Sequence, residues 1–347
     1  MKPAISISLL IALVMALSAC EHKVYMETTV HEDGSLDKTI VLETGDTTKN
    51  FLGIEVNNGW TIITDLIEDT TNENSKKWNV TYRKKFASAD EANAELATAR
   101  DTLFRVSSKF DKKFRWFYTY LYYSDTYSTI NRMTLPPDDF ITQEDHAFIE
   151  RLPAEGTTIS KADSLYLSEL HKKIFDVYGI RAIYEAHYDL NVNLIKESGL
   201  ENRWIDTLQK HKENIFISLT EQQDVPESDV PYDFIYNAMD SLGIPMAYDK
   251  MRNRFDELYK QTDAKTNFIN HASEGKYTHV INMPWKIVRT NADSVSGNQL
   301  MWNPPSIKFL LKDYTMYAEA RKMNIWAFVV SALVIVFTGY LLLRKGN

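Results

Sequence analysis

The stretch Lys23-Val24-Tyr25-Met26-Glu27-Thr28-Thr29-Val30-His31-Glu32-Asp33-Gly34-Ser35-Leu36-Asp37-Lys38-Thr39-Ile40-Val41-Leu42 decides the fold. On either side of His31-Glu32-Asp33-Gly34, apolar and polar residues alternate through Lys23 to Val30 and through Leu36 to Leu42. A period of two puts successive side chains on opposite faces of an extended chain, so both runs read as strands with one buried face. Asp-Gly between such runs is a tight-turn sequence. From Glu21 to about Ile130 the same character persists, in short runs broken by Gly, Asn and Asp. A further turn is expected at Asn57-Asn58-Gly59, and Trp78 to Tyr82 alternates again. Ser88-Ala89-Asp90-Glu91 opens a helix that continues through Ala92 to Arg100.

The densest aromatic run is Phe114-Arg115-Trp116-Phe117-Tyr118-Thr119-Tyr120-Leu121-Tyr122-Tyr123. Read as one strand, it places Phe114, Trp116, Tyr118, Tyr120 and Tyr122 on one face and Phe117, Leu121 and Tyr123 on the other. A strand apolar on both faces is expected in the middle of a sheet, covered on both sides. The alternative is that the five-aromatic face lines a cavity for an apolar ligand, with tyrosine hydroxyls at its mouth.

After Pro136-Pro137 the pattern turns helical, through Ser160 to Ser198, Asn202 to Thr220, Asp229 to Leu242 and Met246 to Asn270. Gly199 and Gly243 serve as stops. Strand character returns at Tyr277: Thr278 to Val288 alternates, Gly297-Asn298 turns, Gln299 to Trp302 answers, and Lys308 to Ala320 runs extended. Strands, helices and strands again imply an α+β fold, an antiparallel sheet formed by the N- and C-terminal segments and interrupted by a large helical insertion. The expected boundaries are a strand-rich part at 20–134, the insertion at 135–275 and the returning strands at 276–323.

Both flanks of this body read as membrane attachments. Lys2, the apolar run Ala4 to Ala16 and Leu17-Ser18-Ala19-Cys20 form a lipoprotein signal peptide over 1–19, too short to span a bilayer. Cys20, the only cysteine, is then the lipidation site, carrying thioether-linked lipid and acyl chains such as palmitate. At the other end, 324–343 reads as a transmembrane helix, with Ile325 to Leu343 long enough to cross about 28 Å. Residues 344–347 follow as a short cytoplasmic tail. Export by the signal peptide sets the orientation: a bacterial inner-membrane protein with its body on the periplasmic or extracytoplasmic side. Between the anchors lie all 47 acidic residues and 36 of the 39 basic ones, a formal charge of about −11. Such a body repels phosphates, so nucleic acid is not an expected partner.

The returning strands carry Met283-Pro284-Trp285-Lys286-Ile287-Val288-Arg289-Thr290-Asn291-Ala292, then Gly297-Asn298-Gln299-Leu300-Met301-Trp302, then the apolar helix. That order, with the Asp33-Gly34 hairpin and the Cys20 lipobox, resembles the LppM-type bacterial lipoproteins. The resemblance covers the two flanks; the helical block has no counterpart, and Trp285 stands where family members often have glycine. It implies an envelope-facing domain contacting lipids or glycolipids, with Pro284, Thr290, Asn291, Gly297, Asn298 and Trp302 as motif positions. Each has an architectural reading beside it: Gly297 for a positive φ, Pro284 for an edge strand, Trp302 for the core.

Chemistry-bearing patterns are sparse. The eight histidines form no paired metal-ligand spacing, and neither a Gly-x-Ser-x-Gly elbow nor a phosphate loop is present. Glu185-Ala186-His187 with Asp189, and Glu144-Asp145-His146, are the densest acid–imidazole clusters, and helical spacing reads them as solvated surface. No catalytic residue, cofactor or metal is expected. Two functions follow: a non-catalytic scaffold or interaction module of the envelope, with membrane lipids and an envelope protein as partners, or a carrier of lipid in an aromatic-lined cavity. A third, a hydrolase whose active site gathers residues distant in sequence, stays open.

Overall fold

A computed structural model describes residues 23–45, 59–67, 76–97, 105–221, 234–245 and 248–345. The expected signal peptide with Cys20, most of the expected turn at Asn57-Asn58-Gly59 and the end of the helix expected to reach Arg100 lie outside these residues. The chain divides into two compact units, one of 1–128, 153–155 and 274–347, the other of 129–152 and 156–273.

The first unit is a pair of sheets. One has seven strands in the order β3 (Thr61–Ile67), β4 (Lys77–Phe86), β2 (Leu36–Thr44), β1 (Lys23–Val30), β7 (Lys276–Asn282), β10 (Gln299–Trp302) and β9 (Ser294–Ser296). The other has four: β5 (Val106–Phe114), β6 (Tyr118–Tyr127), β11 (Tyr314–Met323) and β8 (Lys286–Thr290). N- and C-terminal segments thus share one sheet, and the joining pair, β1 with β7, is parallel, Lys23 opposite Lys276 through Thr29 opposite Asn282. The other pairings are antiparallel. Alternation is strict: Val24, Met26, Thr28 and Val30 of β1 and Leu36, Lys38, Ile40 and Leu42 of β2 are all buried. The β1–β2 turn closes through Gly34 N–H to the His31 carbonyl at 3.1 Å. Gly34 has φ +94°, and a Cβ there would sit 3.0 Å from the Phe110 ring, so both backbone and space call for glycine.

Between Phe114 and Tyr118 the sequence expectation of one aromatic strand fails. Arg115 and Tyr118 exchange backbone hydrogen bonds of 2.8 and 3.0 Å, making a two-residue turn of Trp116 and Phe117. The turn reverses the parity. Phe114 lies opposite Thr119, on the face of the buried Leu121 and Tyr123, while Tyr118, Tyr120 and Tyr122 take the opposite face and are half-buried. The five aromatics therefore do not share a face. Likewise Thr278 to Val288 is two strands: the chain breaks at Met283-Pro284-Trp285 and passes from one sheet to the other.

Helix α1 (Ala89–Leu96) covers β5: the Asn93 amide exchanges hydrogen bonds of 2.6 and 2.8 Å with Ser108 of that strand. Its cap is Ser88, which accepts from the Glu91 N–H, while Glu91 accepts from the Ala87 N–H.

The second unit is helical: α2 (Gln143–Arg151), α3 (Lys161–Lys172), α4 (Ile180–Glu197), α5 (Arg203–Glu221), α6 (Phe234–Ser241) and α7 (Tyr248–Ser273). A π-helical stretch, Lys173–Gly179, joins α3 to α4 without a break. Tyr184, Tyr188, Leu208, Ile215, Leu219, Ile235 and Met239 form a core between α4, α5 and α6. Gly199 and Gly243 take φ of +72° and +68° where α4 and α6 end, an αL stop that costs glycine little.

The last element is α8 (Ile325–Lys345), apolar and long enough to cross a membrane, with only 6% of its most apolar window covered by the protein.

Candidate functional site

Polar residues interrupt the inward-facing apolar rows of the paired sheets, among them Thr28 on β1, Lys38 on β2, Ser108 on β5, Asp125 on β6 and His279 on β7. They converge. The Lys38 ammonium donates to Asp125 Oδ1 and Oδ2 at 3.0 and 2.9 Å, to Thr28 Oγ1 at 3.0 Å and to the Tyr123 hydroxyl at 3.2 Å. Asp125 also accepts from Ser108 Oγ at 2.5 Å, the Tyr123 hydroxyl at 2.7 Å, Thr28 Oγ1 at 3.1 Å and His279 Nε2 at 3.0 Å. The other imidazole nitrogen, Nδ1, lies 3.3 Å from the Tyr127 hydroxyl. The cluster sets the Lys38 ammonium against the Asp125 carboxylate and surrounds both with hydrogen-bonding groups.

Electrostatics follow from that packing. Burial pushes the Asp125 carboxyl up, but the Lys38 charge and the hydrogen bonds from His279 and Ser108 outweigh it and hold the group far below the usual carboxylate range. Burial dominates at His279, whose pKa falls below 6.5 despite the neighbouring carboxylate. Burial also raises Tyr123 and Tyr127 well above 10. The Lys38, Asp125 and His279 side chains have no exposed surface. Ser108 bonds the carboxylate rather than the imidazole, so no nucleophile–base pair is formed. This arrangement ties the two sheets together through charge; it offers no reacting atom to a substrate.

The motif residues of the returning strands form a second knot. Asn291 donates through Nδ2 to the Thr315 carbonyl at 2.8 Å and accepts from the Tyr317 N–H at 2.9 Å, both on β11. The indole of Trp302, on β10 of the other sheet, donates to the carbonyl and Oδ1 of Asn291 at 3.0 and 3.1 Å. Thr290 Oγ1 donates to the Tyr317 carbonyl at 2.7 Å. Pro284 lies in the crossing between sheets, Gly297 turns at φ +61°, and the Asn298 carbonyl accepts from the Met283 N–H at 2.9 Å. Trp302 is wholly buried against the His279 ring.

A third constellation joins the β5–β6 turn to α8. Asn324, buried just before the helix, donates from Nδ2 to the carbonyls of Arg115 and Trp116 at 2.8 and 3.1 Å and from its backbone N–H to the Phe117 carbonyl at 2.9 Å. Its Oδ1 accepts from Thr119 Oγ1 at 2.9 Å. Around this clamp Phe114 stacks on Trp326 at 6.1 Å, Trp116 meets Trp326 edge-on at 5.2 Å, and Phe117 lies 4.6 Å from Phe328. The Trp116 indole donates to Ser331 Oγ at 2.8 Å. Asn324→Ala removes the three side-chain hydrogen bonds, keeping the one from the backbone N–H, and is expected to destabilise the turn by about 1–3 kcal/mol, since the Arg115 and Trp116 carbonyls lose the Asn324 amide donor. Hydrogen exchange should show faster exchange confined to residues 114–119 and the first turn of α8; unchanged protection there would contradict the clamp.

In the helical unit, two clusters expected at the surface are partly interior. His187 is buried beside Tyr259, and burial lowers its pKa, whereas Glu185 turns to Arg181 and Lys212 and Asp189 is exposed. Asp145 is buried in a capping box with Thr142, bonded to Lys173 at 2.5 Å and the Tyr166 hydroxyl at 2.8 Å. Among the described residues, no three of His, Cys, Asp or Glu converge as metal ligands.

No protein-family model matches the chain, and no curated protein matches it. Among solved structures, the NMR structure of the folded domain of Mycobacterium tuberculosis LppM is similar at 8% identity over 87% of this chain and 91% of that one, with a TM-score of 0.26. That is a weak structural relation.

Proposed function

We propose that this chain is a bacterial envelope lipoprotein, related to the LppM type through its flanking strands, that acts as a non-catalytic scaffold or interaction module held at the inner membrane. The observation that carries the reading is the Asn324 clamp. It fixes the two-sheet unit rigidly to an apolar helix, where a flexible linker would suffice for tethering alone. The lipobox-like Leu17-Ser18-Ala19-Cys20 supports lipid attachment and a body outside the cytoplasm, with the tail after α8 inside. The Lys38–Asp125–His279 cluster, which gathers residues distant in sequence, is sealed from solvent, which favours a structural over a catalytic role for it.

Three measurements test this. Metabolic labelling with a fatty-acid analogue should mark the chain and be abolished by Cys20→Ala, and a reporter active only in the cytoplasm should work when fused after Asn347. Native mass spectrometry of the detergent-extracted protein should retain a bound protein. A stoichiometric lipid with no protein partner would instead support the carrier reading.

A further inference from the structure

We propose that the β5–β6 turn is a second membrane-contacting element, dipping into the leaflet beside α8 with a row of basic residues above it at the level of the lipid phosphates. The inference rests on the reading of α8 as a spanning helix.

Three observations converge. The first is depth. Ser331 lies six residues beyond Ile325, about 9 Å along the helix at 1.5 Å per residue, and the Trp116 indole reaches it. A turn that touches Trp326, Phe328 and Ser331 therefore descends beside the first two turns of α8, as far as surface-lying amphipathic helices sink.

The second is satisfaction of polar groups. Phe114, Trp116 and Phe117 are 59%, 46% and 40% exposed, a costly display of aromatics if the surroundings were water. Yet the carbonyls of Arg115, Trp116 and Phe117 all accept from Asn324, and the indole N–H has its own acceptor. Apolar side chains facing outward over paired carbonyls are what hydrocarbon requires of a non-helical segment.

The third is charge. Strand register places Lys113, Tyr120, Arg321 and Lys286 side by side across all four strands of the smaller sheet. This row stands three residues from the turn, about 10 Å at 3.3 Å per residue, close to the depth obtained from the helix. Lys113, Arg321 and Lys286 are exposed, in a chain whose net charge is −8. The next row toward the turn is Phe114, Thr119 and Lys322, and the one after it pairs Tyr118 with Met323, so the surface passes from basic to apolar within two residues. Arg115, the charged residue of the turn, has a stem long enough to return its guanidinium to the phosphates.

The test uses the full chain in a Cys20→Ala background, reconstituted in phosphatidylethanolamine–phosphatidylglycerol vesicles. A nitroxide is attached through Phe117→Cys, Phe114→Cys, Val334→Cys or Thr315→Cys, one at a time. Val334 reports the middle of α8. Thr315, exposed at the far end of β11, reports water. Expected is loss of collision with an aqueous nickel reagent, and gain of collision with oxygen, at 117 and 114 as at 334. If 334 is shielded while 117 and 114 collide with nickel like 315, the turn does not enter the leaflet although the helix spans. If 334 itself collides with nickel, the spanning reading fails and takes this inference with it.

Discussion

Asp125→Ala is expected to destabilise the two-sheet unit by about 3–5 kcal/mol, because it leaves the buried Lys38 ammonium without its counter-charge. The loss spreads: Ser108, Tyr123, Thr28 and His279 all direct hydrogen bonds at that carboxylate. Removing the cation as well, in Lys38→Met with Asp125→Ala, should cost less than the two single effects added together, since neither charge is then stranded. Denaturant unfolding followed by tryptophan fluorescence and near-ultraviolet circular dichroism reads this out; additivity of the two effects would mean that the pair is not coupled.

Acid sensitivity follows from the same residues. His279 has a folded pKa below its ordinary 6.5, so between that value and the folded one the unfolded chain binds a proton that the native state refuses. Its contribution is complete above pH 6.5 and is lost as pH falls. Asp125, lowered from 3.8, adds stability that is present above 3.8 and disappears only in stronger acid. His279→Gln should therefore flatten the decline just below pH 6.5, leaving the part owed to His187 and His171, which burial also lowers.

What the sequence made legible, and what it hid, divides by physical cause. The β1–β2 hairpin, the stops at Gly199 and Gly243 and the apolar helix were readable because each is set by neighbours within a few residues: alternation, a positive-φ glycine, an uninterrupted apolar run. The turn at Trp116-Phe117 carries none of the Gly, Asn or Asp that normally mark a hairpin. Its aromatic residues serve the helix beside it, and that demand is invisible to local pattern. The sheet crossing at Met283-Pro284-Trp285 was missed for a related reason, since alternation continues on both sides of it. The Lys38–Asp125–His279 cluster left a trace that could have been followed. Lys38 between Leu36 and Ile40, Thr28 between Met26 and Val30, Asp125 between Tyr123 and Tyr127, and His279 between Tyr277 and Ile281 all occupy inward positions. Four polar residues on the buried parity of four strands must find one another or go unsatisfied.

Excising residues 129–273 and joining Ser128 to Glu274 through a short Gly-Ser linker should leave the two-sheet unit folded. The chain departs after Tyr127 and returns before Tyr277, and the centroids of those two rings are 6.2 Å apart, both packed on Phe309. A few residues can bridge such a gap. Closure entropy depends only weakly on loop length, by about 0.6 kcal/mol per doubling, so the shorter connection brings no large penalty. The truncation also removes Pro153–Glu155, whose Glu155 N–H donates to the Asn303 carbonyl at 2.7 Å, a loss of about 0.5–1.5 kcal/mol. Lys38, Asp125, His279, the Asn291 knot and the Asn324 clamp all stay. A single cooperative thermal transition with the near-ultraviolet signal of the paired sheets is therefore expected, together with loss of the protein partners proposed for the full chain. Retention of those partners would move the interaction surface to the sheets. Absence of any cooperative transition would show that the helices complete the core on which the sheets depend, and the insertion reading would fall.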